Sequence, residues 1–391
     1  MTPKPLTVML VAGEASGDDR GAGLMRALKA RLGERVRFVG VGGERMRSEG
    51  IDSPFDIAEL SVLGLVEGLK AYPTVVRRVR DTAALAEREK PDIAILIDSW
   101  GFTLRVAKAL RKLYPDLPLV KYVGPQVWAS RPGRSKTTAQ VYDHLLSIHA
   151  FDAPYFEAAG LPVTFVGNAA LTADFSRADP ERLRASIGAA AGEPILLVLP
   201  GSRPGEIDRV LPPFAVAVAR LKAERPGLNV VVPAADTVAA MVKAQVAAWP
   251  FVAHVVEGED ARRDAMKAAT VALACSGTVT TELALAGCPM VVAYRLAPLT
   301  YAILKRLVRT KYVTLFNIAA QDFVAPELIQ DACNGPALAR EVALRLDDPA
   351  LRAAQVDRQY EALDRMGRGG PDPNVVAAEA VIRLLPDHSA A

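Results

Sequence analysis

Short apolar runs alternate with longer stretches of helical periodicity along the whole chain. Predicted strands span residues 6–12, 36–41, 93–97 and 119–123 in the first half, and 195–199, 230–233, 271–274 and 290–294 in the second. None of these runs alternates apolar with polar residues, which is typical of parallel strands that are covered on both faces. The pattern predicts an α/β protein with two Rossmann-like, doubly wound domains that face one another across a cleft.

The alternation is interrupted near residues 165–180, where Gly167, Asn168, Asp179 and Pro180 are turn-forming residues. A chain of 391 residues is also long enough for two domains. We therefore expect an N-terminal domain over residues 1–170 and a C-terminal domain over residues 171–365. Residues 366–391 are predicted to form a C-terminal helix and tail that packs on the N-terminal domain or on a partner chain.

Composition narrows the class of protein. Hydrophobic residues make up 51% of the chain and charged residues 23%, which favours a well-packed globular protein. The net charge of +3 gives no reason to expect nucleic-acid binding. Three cysteines and four histidines at no metal-binding spacing indicate a reducing compartment and no structural zinc. The apolar N-terminal run is followed at once by acidic residues, so we interpret it as the first strand rather than a signal peptide.

The segment after the predicted strand 271–274 is the most informative. Ser276, Gly277 and Thr278 stand where a helix begins, so unpaired backbone N–H groups and the positive end of the helix dipole suit a phosphate there. Glu282 lies one turn later on the same helix face, where its carboxylate can accept hydrogen bonds from a ribose diol. A nucleotide site is one interpretation, and a capped α/β turn with an exposed Glu is the other.

A second turn of this kind follows the strand 195–199. Pro204 fits the first turn of a helix and Ser202 fits its cap. Arg203 would then stand beside free N–H groups at the positive end of the helix, a poor place for a cation unless an anion binds there. The turn therefore predicts an anion site.

The loops of the first half are less specific. The spacing of Gly13 and Gly17 does not match the G-x-G-x-x-G pattern, so a dinucleotide fingerprint is absent. Asp98 ends a predicted strand and is either a base that faces the cleft or a helix cap. Trp128 and Arg131 share a loop whose aromatic and guanidinium groups suit sugars and phosphates, although Trp128 also fits a packing role.

Taken in order, the motifs resemble those of the lipid-A-disaccharide synthases, which are inverting glycosyltransferases of the GT-B type. The matching segments are residues 13–18, 125–134, 199–203, 276–282, 290–294, 298–301, 311–317 and 326–330. Two departures stand out. Trp100-Gly101 replaces the family's Pro-Asp after the third strand, so only Asp98 carries over as the candidate base. Asn168 replaces a common histidine.

The resemblance implies a reaction between UDP-2,3-diacylglucosamine and 2,3-diacylglucosamine 1-phosphate that yields a β(1→6) disaccharide and UDP. Asp98 is the implied general base. The implied UDP-sugar contacts are Gly201, Ser202, Arg203, Ser276, Gly277, Thr278, Glu282 and Asn317. The implied residues of the acceptor or cleft loops are Glu14, Ser16, Gly17, Trp128 and Arg131. No Asp-x-Asp motif is evident, so we expect no metal and no cofactor, and Arg203 with the helix N-termini would stabilise the leaving UDP.

Substrates with acyl chains imply a membrane surface, here the inner face of the bacterial inner membrane, for a cytoplasmic protein bound peripherally. The predicted membrane patch is Val62, Leu63, Leu65, Val66 and Leu69, followed by Arg77, Arg78 and Arg80. A second basic cluster comprises Lys305, Arg306, Arg309 and Lys311. A core-facing helix with a solvated face is the competing interpretation.

Two other functions remain open at this stage. A UDP-N-acetylglucosamine 2-epimerase of the same architecture would need neither lipid patch nor acceptor site. A UDP-sugar-binding protein without catalysis would keep the second-half site and could lose Asp98. A homodimer is also left open.

Overall fold

The computed structural model describes residues 5–60 and 65–385; of residues 65–71, 299, 303 and 304 it describes the backbone alone. The chain divides into two compact units. Unit 1 comprises the residues up to Asn168 together with those from Gly370 onward, and unit 2 comprises Ala169–Gly369. Unit 1 therefore includes the C-terminal segment, for which we predicted packing on the N-terminal domain or on a partner chain.

Unit 1 is built on a parallel sheet whose described strands have the order β2-β1-β3-β4-β5-β6. The strand order reverses between β1 and β3, so the loops after these two strands meet at the topological switch point. The strands are β1 (Leu6–Ala12), β2 (Val36–Val41), β3 (Ile93–Ile97), β4 (Leu119–Tyr122), β5 (His144–Ser147) and β6 (Val163–Phe165).

Unit 2 repeats the architecture with the order β12-β11-β10-β7-β8-β9, and its switch point lies between β7 and β10. Two Rossmann-like α/β units are therefore confirmed. The strands are β7 (Ile195–Leu199), β8 (Asn229–Pro233), β9 (His254–Val256), β10 (Val271–Cys275), β11 (Met290–Tyr294) and β12 (Glu327–Ile329).

Helices cover both faces of each sheet. In unit 1 they are α1 (Ala15–Leu32), α2 (Glu44–Ser48), α3 (Leu65–Glu89), α4 (Trp100–Leu113), α5 (Arg134–Ala139), α6 (Ala153–Glu157) and α16 (Pro373–Arg383). In unit 2 they are α7 (Pro180–Ile187), α8 (Pro204–Glu224), α9 (Ala239–Ala247), α10 (Glu259–Ala268), α11 (Thr278–Leu285), α12 (Pro298–Leu307), α13 (Leu315–Ala320), α14 (Gly335–Asp347) and α15 (Pro349–Arg365).

Alternate residues of a single strand pack into different cores. Val8 and Leu10 of β1 contact the cluster on one face of the sheet, whereas Met9 and Val11 contact the cluster on the other. Because both faces need apolar side chains, the strand is a continuous apolar run, which explains why these strands could be predicted from the sequence.

The C-terminal helix α16 packs against α1. Ala377, Ala378 and Val381 share a core cluster with Leu24 and Leu28 of α1. A salt bridge of 2.5 Å joins the Arg31 guanidinium of α1 to the Glu379 carboxylate at the edge of this contact. Helix α16 therefore completes the core of unit 1.

Candidate functional site

A cavity of about 350 Å³ lies at the switch point of unit 2, where β7 and β10 end. Its walls include residues from both Gly-containing turns: Gly201, Ser202, Arg203, Ser276, Gly277, Thr278 and Glu282. The two turns are distant in sequence, and the parallel pairing of β7 with β10 brings their carboxyl ends together. Seven of the eight predicted UDP-sugar contacts therefore line a single cavity.

The turn after β7 ends one residue later than we predicted. Arg203, rather than Ser202, stands at the N-cap of α8, and its side chain makes no capping hydrogen bond. Gly201 has a φ of 109°, and a Cβ atom there would stand 2.9 Å from the Glu206 carboxylate. A side chain at position 201 would therefore be strained and would collide with that carboxylate.

Glu206 compensates the charge of Arg203. The Arg203 guanidinium donates to the Glu206 carboxylate at 3.1 Å, and the Tyr294 hydroxyl donates to the same oxygen at 3.2 Å. Glu206 is buried, whereas the Arg203 side chain is 72% exposed. Arg203 therefore has a partner at the helix N-terminus, which the prediction of an anion site did not take into account. Its side chain lines the cavity and is still largely exposed. The i,i+3 spacing was the available signal.

Glu282 is likewise paired. The Arg262 guanidinium of α10 donates to the Glu282 carboxylate at 2.5 Å and to the Glu259 carboxylate at 2.8 Å. Arg262 lines the cavity beside Glu282, and no spacing in the sequence signalled it because α10 reaches this place only through packing. One Glu282 oxygen is held by Arg262, which leaves the other available to accept from a diol.

Asn317 does not belong to this cavity, and that prediction is corrected. The side chain is fully buried, its amide N–H groups donate to the Ala325 carbonyl and the Glu327 carboxylate, and its oxygen accepts from the backbone of Val324 and Ala325. Every donor and acceptor of the amide is used within the protein. Asn317 therefore holds the turn after α13 and has no group to offer a ligand.

A second polar cluster lies at the switch point of unit 1. Glu14 follows β1 and Asp98 follows β3, and one Asp98 carboxylate oxygen stands 3.5 Å from the Arg20 guanidinium. Desolvation by its neighbours, reinforced by the Asp98 carboxylate, raises the pKa of Glu14. Ser99, rather than Asp98, stands at the N-cap of α4. The capping alternative for Asp98 is therefore not what the structure adopts.

The comparisons with known proteins identify the family. A family model described as lipid-A-disaccharide synthetase matches residues 8–371. The chain belongs to the lipid-A-disaccharide synthase family. Lipid-A-disaccharide synthase from Rhodospirillum centenum is 41% identical, with 98% of this chain and 95% of the relative covered. The synthase from Paramagnetospirillum magneticum is 43% identical, with 97% and 98% covered.

Similar solved structures agree with the fold. A kitacinnamycin glycosyltransferase has a TM-score of 0.61 at 17% identity, with 98% of this chain and 100% of that one covered. The S. aureus MnaA–UDP structure has a TM-score of 0.60 at 16% identity, with 97% and 95% covered. These likenesses support the GT-B type of fold. The lipid-A-disaccharide synthases are glycosyltransferases of lipid A biosynthesis, so this chain is an enzyme, and the epimerase alternative is not favoured.

The remaining predicted acceptor-side residues of this family member lie in unit 1. Glu14 is at the N-cap of α1, and Ser16 and Gly17 are in its first turn. The Trp128 indole donates to Asp152 at 2.8 Å and meets the edge of an aromatic stack formed by Phe151 and His149.

This bonding fixes the plane of the Trp128 ring. Burial raises the pKa of Asp152, the indole's partner, to about 6.

Arg131 is exposed and has a φ of 49°. Trp100, at the departure from the family pattern, lies 5.3 Å from the Arg134 guanidinium.

Most of the predicted membrane patch falls on residues or side chains that the structure does not describe. Val62 and Leu63 are outside the described residues, and Leu65, Val66 and Leu69 are in α3 with side chains that are not described. Of the basic residues that follow, Arg78 is paired with Glu59 and Asp81.

No helix within residues 5–60 and 65–385 is long and apolar enough to cross a membrane. No group of three or more His, Cys, Asp or Glu in the same ranges is arranged to hold a metal ion.

Proposed function

We propose that this glycosyltransferase transfers 2,3-diacylglucosamine from UDP-2,3-diacylglucosamine to 2,3-diacylglucosamine 1-phosphate. The acceptor 6-hydroxyl attacks the anomeric carbon, the bond from that carbon to UDP breaks, and the configuration inverts to give the β(1→6) disaccharide. The observation that carries the proposal is the unit 2 cavity, where two helix N-termini, Arg203 and Glu282 converge. That combination is complementary to a diphosphate joined to a ribose.

The donor half of the reaction needs stabilisation of the departing diphosphate. We assign this role to Arg203 and to the backbone N–H groups in the first turns of α8 and α11, neither of which is capped by a side chain. In α8 this group is the N–H of Gly205, because Pro204 has none. Glu282, held by Arg262, would accept from the ribose hydroxyls. Charge that develops on UDP would then meet donors that are already in place.

The acceptor half needs a base that removes the hydroxyl proton as the new bond forms. We assign this role to Asp98, with Glu14 beside it and Arg20 within reach of its carboxylate. Trp128 and Arg131 are proposed to contact the acceptor sugar and its phosphate.

The test is UDP release by purified protein with and without the monosaccharide 1-phosphate. We expect release to depend on the acceptor, and acceptor-independent release would contradict the synthase reaction. An Asp98→Asn variant should lose about 10²–10⁴-fold in kcat, because general-base catalysis is worth that much. Asp116→Asn, at an exposed position outside the cluster, serves as the matched control, and near-normal turnover of Asp98→Asn would exclude Asp98 as the base.

Peripheral binding to an anionic membrane surface is proposed from the lipid substrates. The second basic cluster supports it, because Lys305, Arg306, Arg309 and Lys311 are exposed near the exposed apolar side chains of Leu307 and Val308. Vesicle binding of Leu63→Ser plus Val66→Ser, and separately of Leu307→Ser plus Val308→Ser, tests each region. A region whose double variant binds anionic vesicles as tightly as the wild type has no part in membrane binding.

A further inference from the structure

Lys121 is a lysine in the interior of a parallel sheet. It lies in β4, between β3 and β5, and only 1% of its surface is exposed. A buried ammonium loses its hydration, so a lysine at such a position is costly unless its charge and its hydrogen bonds are compensated. The groups that compensate the Lys121 ammonium belong to the turn that contains Asp98 and to the helix that follows it.

The Lys121 ammonium donates to the main-chain carbonyl of Asp98 and, at 2.8 Å, to the Thr103 hydroxyl. The Thr103 hydroxyl in turn donates to the same Asp98 carbonyl at 2.7 Å. The Asp98 backbone N–H donates to the Tyr122 carbonyl at 2.8 Å. The peptide groups on both sides of Asp98 are therefore fixed by β4 and α4.

The turn held in this way has an unfavourable backbone. Asp98 has a φ of 46° and Ser99 a φ of 41°, so two consecutive residues with side chains are left-handed. Each such residue costs about 1–2 kcal/mol and persists only where the surroundings over-determine it. The donors of Lys121 and Thr103 supply that constraint from below the turn.

We propose that Lys121 is a positioning residue of the acceptor site, which holds the left-handed Asp98–Ser99 turn so that the Asp98 carboxylate is directed toward the substrate. The inference rests on the proposed role of Asp98 as the base. The electrostatics agree with it. Burial lowers the pKa of Lys121 to about 7, and the Asp98 and Glu14 carboxylates oppose that shift by favouring the charged ammonium.

The first test is Lys121→Met, which keeps the length of the side chain and removes the donor. We expect kcat to fall by about tenfold or more, which is ~1.4 kcal/mol of barrier. The affinity for UDP should not change, because the nucleotide cavity belongs to unit 2. The melting temperature should not fall, since a buried charge is removed and Thr103 still donates to the carbonyl. Lys108→Met, on the exposed face of α4, is the matched control.

Thr103 allows a second test if Lys121→Met fails to fold, because its hydroxyl donates to the same Asp98 carbonyl. Thr103→Val should lower kcat, and Thr103→Ser, which keeps the hydroxyl, should restore it. Turnover of a folded Lys121→Met within about twofold of the wild type would overturn the proposal. The proposal would also be overturned if kcat fell only in those variants whose melting temperature falls as well.

A double variant separates this proposal from the one on Asp98. If Lys121 acts through Asp98, adding Lys121→Met to Asp98→Asn should cause no further loss of kcat. An equal loss in both backgrounds would refute the positioning role and leave the base assignment standing. Near-normal turnover of Asp98→Asn alone would refute the base assignment first.

Discussion

Burial of Lys121 has a measurable consequence for stability, independent of catalysis. Its pKa is about 7 in the folded protein against 10.5 for an ordinary lysine, because burial penalises the ammonium. Between these values the unfolded chain binds more protons than the folded one, so this group makes the protein more stable as pH rises from 7 toward 10.5. The whole pKa difference corresponds to about 5 kcal/mol in the free energy of unfolding. About 2 kcal/mol of this stability should be gained between pH 7 and 9.

The perturbation is Lys121→Met, which removes the titrating group. Urea unfolding of wild type and variant at pH 7, 8 and 9 gives two stability curves, and their difference isolates Lys121. Trp249 is the tryptophan of unit 2, so a Trp249→Phe background makes tryptophan fluorescence report on unit 1. The buried tyrosine Tyr122, whose pKa is raised to about 12, titrates in the unfolded chain near pH 10 and sets the upper limit of the window.

We expect the stability of the wild type relative to the variant to rise by about 2 kcal/mol across this window. Lys108→Met should show no such trend, since Lys108 is exposed. A difference between wild type and Lys121→Met that stays flat from pH 7 to 9 would mean that the folded protein keeps the ammonium fully charged. Burial would then not lower the pKa of Lys121 in the folded protein.

Three further predictions concern other contacts. Glu206→Gln should weaken UDP binding by about tenfold, because the neutral amide no longer orients the Arg203 guanidinium. Calorimetry measures the affinity, and an unchanged value would contradict this prediction. Asn317→Ala should lower the free energy of unfolding by about 2–4 kcal/mol and leave UDP affinity unchanged, since its amide serves only internal partners; weaker UDP binding by the folded variant would return Asn317 to the site. Gly40→Ala should lower the melting temperature sharply because its Cβ would stand 1.8 Å from a β1 carbonyl oxygen, whereas Gly227→Ala, which meets no atom within 4 Å, should not.

The strands that sequence predicted best are those buried on both faces. Continuous apolar runs located β1, β2, β3, β7 and β11 with their observed bounds. The missed strands β5, β6, β9 and β12 are three or four residues long and lie at or toward the sheet edges. Polar residues such as His144 and Thr164 interrupt their apolar runs. The runs that are left are too short to distinguish a strand from a loop.

The candidate site was predictable where it depends on loops that follow strands. The resemblance assigned the turns containing Arg203 and Thr278 to one UDP-sugar, and both turns line the unit 2 cavity because parallel strands end at one edge of a sheet. The partners Arg262 and Lys121 were not expected, because their roles depend on how α10 and β4 pack. Lys121 did leave one signal, a lysine within an otherwise apolar run.

The two units place residues of different charge at the N-caps beside their switch points. In unit 2 the N-caps of α8 and α11 are Arg203 and Gly277, which leave the positive helix ends open to an anion. In unit 1 the N-cap of α1 is Glu14, a carboxylate that the helix dipole should stabilise. Its pKa is nevertheless raised, because desolvation and the Asp98 carboxylate outweigh favourable interactions with Ser99, Lys121 and Arg20. The N-cap of α8 thus carries a cation beside the proposed UDP site, whereas the N-cap of α1 carries a carboxylate close to that of Asp98, the proposed base.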